Sequence, residues 1–235
     1  LSRPWTTHWM ETREECAFIR GEVAAPHPFL ASLLAQCRIV SPRRPPLEYL
    51  AACVAQPEAP HAAPRGEAMA CAGSSPTAGL PLLLAHMNYP EPGDARRVAA
   101  MGASVAYCPR AHRFFGHPPH PYRTYRDAGV NVLLATDSLA SNWSLSLLEE
   151  ARFVRRETPD PPPAETLLEM ITRCAARALG LDALVGTLEP GKQADLAAFP
   201  CPAGTDDPAT FLVDHAPAAQ GVWVAGRLIH AIDRP

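Results

Sequence analysis

Hydrophobic and polar positions follow two rhythms along this chain. Short, continuously apolar runs alternate with longer stretches whose apolar residues recur at helical spacing. Residues 4–8 predict a short strand ending in the polar His8, and residues 11–20 (ETREECAFIR) predict a helix. Residues 28–38 and 47–55 predict two more helices. Residues 56–79 are rich in Pro, Ala, Gly and Ser with little periodicity, which predicts a loop insertion. A regular alternation follows. A buried strand over 80–85 (LPLLLA) ends at His86, a helix covers 92–101, and a strand over 103–107 (ASVAY) is closed by Cys108-Pro109. A helix over 122–128 leads to a strand over 130–135 (VNVLLA) that ends at Thr136-Asp137, and helices over 145–156 and 164–179 complete the run. Strands of this length alternating with helices predict βαβ units and a parallel sheet. Their continuous apolar character is that of strands covered on both faces.

The rhythm changes after Gly186. Residues 188–199 contain the turn Glu189-Pro190-Gly191-Lys192 and then an apolar stretch. Residues 221–232 (GVWVAGRLIHAI) predict a hairpin turning near Ala225-Gly226. The tail is therefore β-rich, in contrast to the α/β body before it.

Composition narrows the classes. Apolar residues make up 47% and charged residues 19%, enough for a sizeable core. The net charge of −3 is too balanced for a protein that holds nucleic acid electrostatically. No apolar run approaches the ~18 residues of a membrane span. The seven cysteines are irregularly spaced with no C-x-x-C, which argues against a disulfide framework and a thiolate zinc site and predicts buried thiols in a cytoplasmic protein. Proline reaches 27 of 235 residues and gathers in the connections between elements.

The candidate chemistry is positional. His8 with Glu11, His86, and Asp137 each follow a predicted strand, on the side where parallel α/β folds place their active sites. His27, His61, His120, His215 and His230 have no partner pattern and read as structural or solvated, and Cys108 reads as a packed thiol.

These residues carry a family resemblance. Thr7-His8-Trp9-Met10-Glu11-Thr12 resembles the His-x-x-Glu motif of the metal-dependent amidohydrolase superfamily, closest to its hydrolytic deaminase and chlorohydrolase branch. Leu84-Ala85-His86 resembles the next catalytic strand, and Ala135-Thr136-Asp137-Ser138-Leu139-Ala140-Ser141-Asn142 is similar to the Gly-Thr-Asp-Ser metal-ligand strand, with Ala135 in place of Gly. The run Gly186-Thr187-Leu188-Glu189-Pro190-Gly191-Lys192-Gln193-Ala194-Asp195-Leu196 looks like the opening of the family's C-terminal β-sandwich.

The resemblance implies an α/β fold of TIM type, with residues 1–185 as part of a (β/α)8 barrel and residues 186–235 as a small β-sandwich segment. It implies His8 and Asp137 as ligands of one divalent metal, zinc ahead of iron(II), which activates a water for attack. Asp137 would also take the water's proton, and His86 would steady the attacking oxygen. Glu11 would protonate a ring nitrogen of the substrate and then the departing ammonia. Cys108-Pro109-Arg110-Ala111-His112 resembles the family's Cys-Pro-x-Ser-Asn loop, with Ala111-His112 in place of Ser-Asn. Arg110, His112, Phe115, His117 and Ser138 are thus the expected substrate-contacting residues.

The family's first strand also carries a His-x-His pair, and none occurs in these 235 residues. His8 resembles the fifth strand, so the expectation is a chain holding strands five to eight plus the β tail, inactive and loosely metal-binding by itself. The implied activity is hydrolytic deamination of a purine-, pyrimidine- or nucleoside-like small molecule at a non-peptide C–N bond. A chlorohydrolase or N-dealkylating hydrolase on the same scaffold and a non-catalytic barrel relative are the alternatives. A homodimer is left open.

Overall fold

The computed structural model describes residues 4–22, 41–55 and 81–231. The helix expected over 28–38 and the insertion over 56–79 lie outside the described residues. The described chain divides into two compact units. One takes in the described residues among 4–105 together with 121–130, and the other 106–120 and 131–231.

The first unit is built on β1 (Trp5–Trp9) and β2 (Leu82–His86), which pair in parallel with Thr7 opposite Leu84, His8 opposite Ala85 and Trp9 opposite His86. Its helices are α1 (Arg13–Arg20), α2 (Pro46–Ala55), α3 (Asp94–Ala100) and α5 (Tyr122–Asp127). Helix α1 starts later than its apolar spacing suggests because Thr12 is its cap. The Thr12 hydroxyl accepts from Glu15 N at 3.0 Å, the first half of a capping box. Cys16 and Ile19, three positions apart, are the buried residues of α1. The core of this unit also includes Met10, Leu50, Leu84, Met87, Val98, Val105 and Tyr125.

The division between the units falls within β3 (Ser104–Tyr107). The second unit continues through α4 (Pro109–Phe114), β4 (Asn131–Leu134), α6 (Leu147–Glu157), α7 (Ala164–Ile171), α8 (Arg173–Ala178) and α9 (Pro208–His215). Three features differ from the sequence expectation. The segment after Cys108, expected as a loop, winds into α4 with Pro109 in its first turn, where a missing N–H costs nothing. The single helix expected over 164–179 is two helices, broken at Thr172, whose φ and ψ are −126° and −88° and whose hydroxyl turns back to the Leu168 carbonyl at 2.6 Å. Helix α9 was not expected, although Asp207-Pro208 is a capping pair and the Asp207 carboxylate accepts from Thr210 N at 2.9 Å.

The β tail forms β5 (Leu196–Ala198), β6 (Gly221–Val224) and β7 (Arg227–Ala231), a three-stranded antiparallel sheet in the order β5-β6-β7. The hairpin turns at Ala225 and Gly226, with φ of 50° and 76°. Two successive positive φ values match the twist of the flanking strands, and Gly226 adopts its value without steric cost. The tail lies in the same compact unit as β4 and α6 to α8.

Candidate active site

In the first unit the chemistry collects where β1 and β2 end. His8 lies on β1 and is exposed. At the end of β2 the strand alternation breaks, because His86 and Met87 take φ of 70° and 55°. Met10, just past β1, has φ of 52°. Positive φ at non-glycine residues costs energy and persists where surrounding contacts enforce it. Those contacts are present. Met87 N donates to Trp9 O at 2.9 Å, Asn88 N to Met10 O at 3.0 Å, and the Tyr125 hydroxyl to Met87 O at 3.0 Å. The outcome is a buried His86 ring 4.9 Å from the His8 ring and tilted 41° to it. The His86 Nε2 lies 3.7 Å from Glu11 Oε1.

Glu11 is held from both sides. Asn88 Nδ2 donates to its carbonyl at 2.9 Å, and the Glu15 carboxylate accepts from Met10 N at 3.1 Å and Glu11 N at 2.8 Å. Burial pushes the Glu15 carboxyl up from its ordinary value, although the donated backbone N–H groups pull it the other way. Burial also raises the Asp94 carboxyl and the Tyr125 phenol, and pushes the Cys16 thiol up to about 12. Glu15 had no expected role. Its signal was the Thr12-x-x-Glu15 spacing of a capping box.

In the second unit, Asp137 follows β4 with φ of 57°. Asp is among the residues that tolerate this conformation best. The Ser141 hydroxyl donates to Asp137 Oδ2 at 2.9 Å. Ser138 is exposed and closes the turn, its hydroxyl accepting from Ala140 N at 3.2 Å and its carbonyl from Ser141 N at 3.2 Å.

Arg110 departs from expectation. It was expected to contact substrate, yet it is only 2% exposed. Its Nε donates to Glu150 Oε1 at 2.8 Å and its backbone N to Glu150 Oε2 at 3.1 Å. Its Nη2 reaches the carbonyls of Ser144 and Ser146 at 3.2 and 3.3 Å. A buried cation finds a buried anion, and the Arg110 side chain is spent on the interior of its unit.

His112 is also buried, with Nε2 2.6 Å from Pro118 O and its ring edge-on to Tyr107 and His120. The contact ties α4 to the segment after it. His120 stacks on Tyr107 at 4.1 Å, in keeping with a structural reading. His117, half-buried, lies 5.1 Å from the His112 ring and 5.9 Å from that of Phe115, which is 52% exposed. Of the expected substrate-contacting residues, Phe115, His117 and Ser138 present surface, while Arg110 and His112 face inward.

The chain is similar to known proteins. The model of the amidohydrolase family matches residues 73–229, more than half of the chain. The chain belongs to the amidohydrolase family, and its relatives lie in the deaminase and chlorohydrolase branch. The 5-methylthioadenosine/S-adenosylhomocysteine deaminase of Moorella thermoacetica is 37% identical over 123 residues, 50% of this chain and 29% of that protein. A zinc-bound adenosine deaminase from Xanthomonas campestris shares the fold, with a TM-score of 0.68 and 24% identity over 99% of this chain and 47% of its own. The zinc complex of atrazine chlorohydrolase from Arthrobacter aurescens aligns with a TM-score of 0.56 and 29% identity over 66% of this chain and 37% of its own. The chain thus spans less than half the length of these relatives. The fold is that of an α/β amidohydrolase barrel, with parallel strand pairing seen directly in β1 and β2. No helix among the described residues is long and apolar enough to cross a membrane.

Proposed function

We propose that this chain carries catalytic residues of a metal-dependent hydrolytic deaminase that cleaves a non-peptide C–N bond in a small purine-, pyrimidine- or nucleoside-like amine. The observation that carries the reading is the Glu11 carboxylate 3.7 Å from the buried His86 imidazole at the strand ends. Removing an amino group from an aromatic ring needs a proton on the ring nitrogen as the new bond forms, and an acid beside a hydrogen-bonding imidazole supplies that chemistry. The deaminase relative supports the same reading.

The donor set fits a divalent metal. By the family resemblance His8 would offer a nitrogen and Asp137 an oxygen, a mixture suited to zinc ahead of iron(II). In the proposed site His8 and Asp137 hold the ion. When bound, it would lower the pKa of a water toward ~7. Asp137 would accept that water's proton, His86 would hydrogen-bond the attacking oxygen, and Glu11 would deliver a proton to the ring nitrogen and then to departing ammonia. Phe115, His117 and Ser138 would contact the substrate. In the same proposal β1 to β4 are the fifth to eighth barrel strands, with residues 1–185 as barrel and 186–235 as the β segment.

The test is a panel of amino- and chloro-substituted purines, pyrimidines and triazines offered to the zinc-loaded intact protein, scored for ammonia and for chloride. Ammonia release that falls at least ~100-fold in Glu11→Gln and in Asp137→Ala is the expected result. Chloride release alone would move the protein to the chlorohydrolase reaction. Ammonia release unchanged in Asp137→Ala would overturn the proposal.

A further inference from the structure

The residues after β4 have no regular structure until α6 begins at Leu147, yet Asp137 sits among them at φ of 57°. Something must hold that backbone. The hydrogen bonds identify it. Asn142 Nδ2 donates to Thr136 O at 2.8 Å, on the peptide immediately before Asp137. The same nitrogen donates to Glu150 Oε1 at 2.6 Å, and Asn142 Oδ1 accepts from Ser144 N at 3.3 Å. Glu150 belongs to α6 and has no solvent exposure. Its two oxygens also take the backbone N and the Nε of Arg110 from α4. Arg110 Nη2 then returns to the Ser144 and Ser146 carbonyls. The circuit closes on the segment that carries Asp137. Ser141, next to Asn142, holds Asp137 Oδ2.

An ionised glutamate without solvent contact is costly unless every lone pair is used. An apolar residue at position 150 would fill the same interior place on α6 without that cost. What the charge adds is direction, since it fixes the Asn142 amide and Asn142 fixes the Thr136 carbonyl.

We propose that Asn142 and Glu150 are positioning residues for Asp137, with Arg110 holding Glu150 in place and Ser141 setting the carboxylate rotamer. The proposal rests on the reading of Asp137 as a metal ligand. Hydrogen-bond partners of ligands orient them, and their loss typically weakens metal affinity ~10–100-fold.

The test compares the intact wild-type protein with Asn142→Ala, Ser141→Ala and Asp137→Ala. Zinc affinity is measured by chelator competition, and amide hydrogen exchange over 136–141 is measured in the metal-free protein. Asn142→Ala is expected to weaken zinc at least ~10-fold and to speed exchange over 136–141 at least ~10-fold. Ser141→Ala leaves the buried pair intact, so it is expected to weaken zinc severalfold with an unchanged unfolding midpoint. Zinc affinity and exchange both unchanged in Asn142→Ala would overturn the proposal, as would unchanged affinity in Ser141→Ala. If Asp137→Ala binds zinc as the wild type does, the ligand reading fails. The faster exchange in Asn142→Ala then supports the positioning of the backbone by itself, and its absence overturns it.

Discussion

Replacing Arg110 with methionine tests the interior of the second unit most directly. The pair it breaks is buried on both sides, with Arg110 2% and Glu150 0% exposed and 2.8 Å between Nε and Oε1. At an effective dielectric of about 20, the attraction across that distance is about 6 kcal/mol before desolvation is counted. In Arg110→Met the Glu150 carboxylate keeps the backbone N–H of position 110 and the Asn142 amide, but loses its countercharge. Truncating one partner of a buried pair costs about 3–5 kcal/mol. With a urea slope of about 2 kcal/mol/M, the unfolding midpoint should fall by about 1.5–2.5 M. Tryptophan fluorescence is the natural readout, because the Trp143 ring lies 4.9 Å from the Arg110 guanidinium carbon. The double variant Arg110→Met/Glu150→Leu removes both charges, so its loss should fall short of the sum of the single losses by about 1.5–3 kcal/mol. A midpoint shift under about 0.5 M in Arg110→Met, or strictly additive single losses, would refute the view that this pair is coupled in a dry interior.

Two further outcomes follow from the packing. Gly186 has φ of 95°, and a Cβ there would come within 2.6 Å of the Ala176 Cβ, so Gly186→Ala should lower stability by about 1–3 kcal/mol, read as a drop in the thermal unfolding midpoint. The buried Cys16, with its thiol pushed up to about 12, is about one part in ten thousand thiolate at pH 8, so a thiol reagent should label exposed Cys201 in the native protein and reach Cys16 only after denaturant is added. Rapid labelling of Cys16 in the native state would contradict its burial.

Much of this protein is local, and the local part is legible in its residues. The strand runs of β2, β3 and β4 are largely apolar stretches bounded by polar residues, and the Ala225-Gly226 turn follows from two residues and their flanking alternation. The positions of His8, Glu11, His86 and Asp137 at or just past strand ends were legible for the same reason, as was membership of the amidohydrolase family. Other features depend on partners distant in sequence. Arg110 looks like a loop cation until the fold brings Glu150, 40 residues later, against it. Glu150 looks like one more surface glutamate on an amphipathic helix. Whether a charge faces water or a countercharge is decided by packing, because burial penalises it by several kcal/mol in one setting and a partner offsets that penalty in the other. The positive φ values of His86 and Asp137 belong to the same class. They are unfavourable locally and are held only by hydrogen bonds that the assembled unit supplies, such as Tyr125 to Met87 and Asn142 to Thr136. The sequence by itself thus determined which chemical groups stand at the strand ends. The tertiary structure alone decided which side chains are left facing outward and which are consumed in holding Glu11 and Asp137 in place.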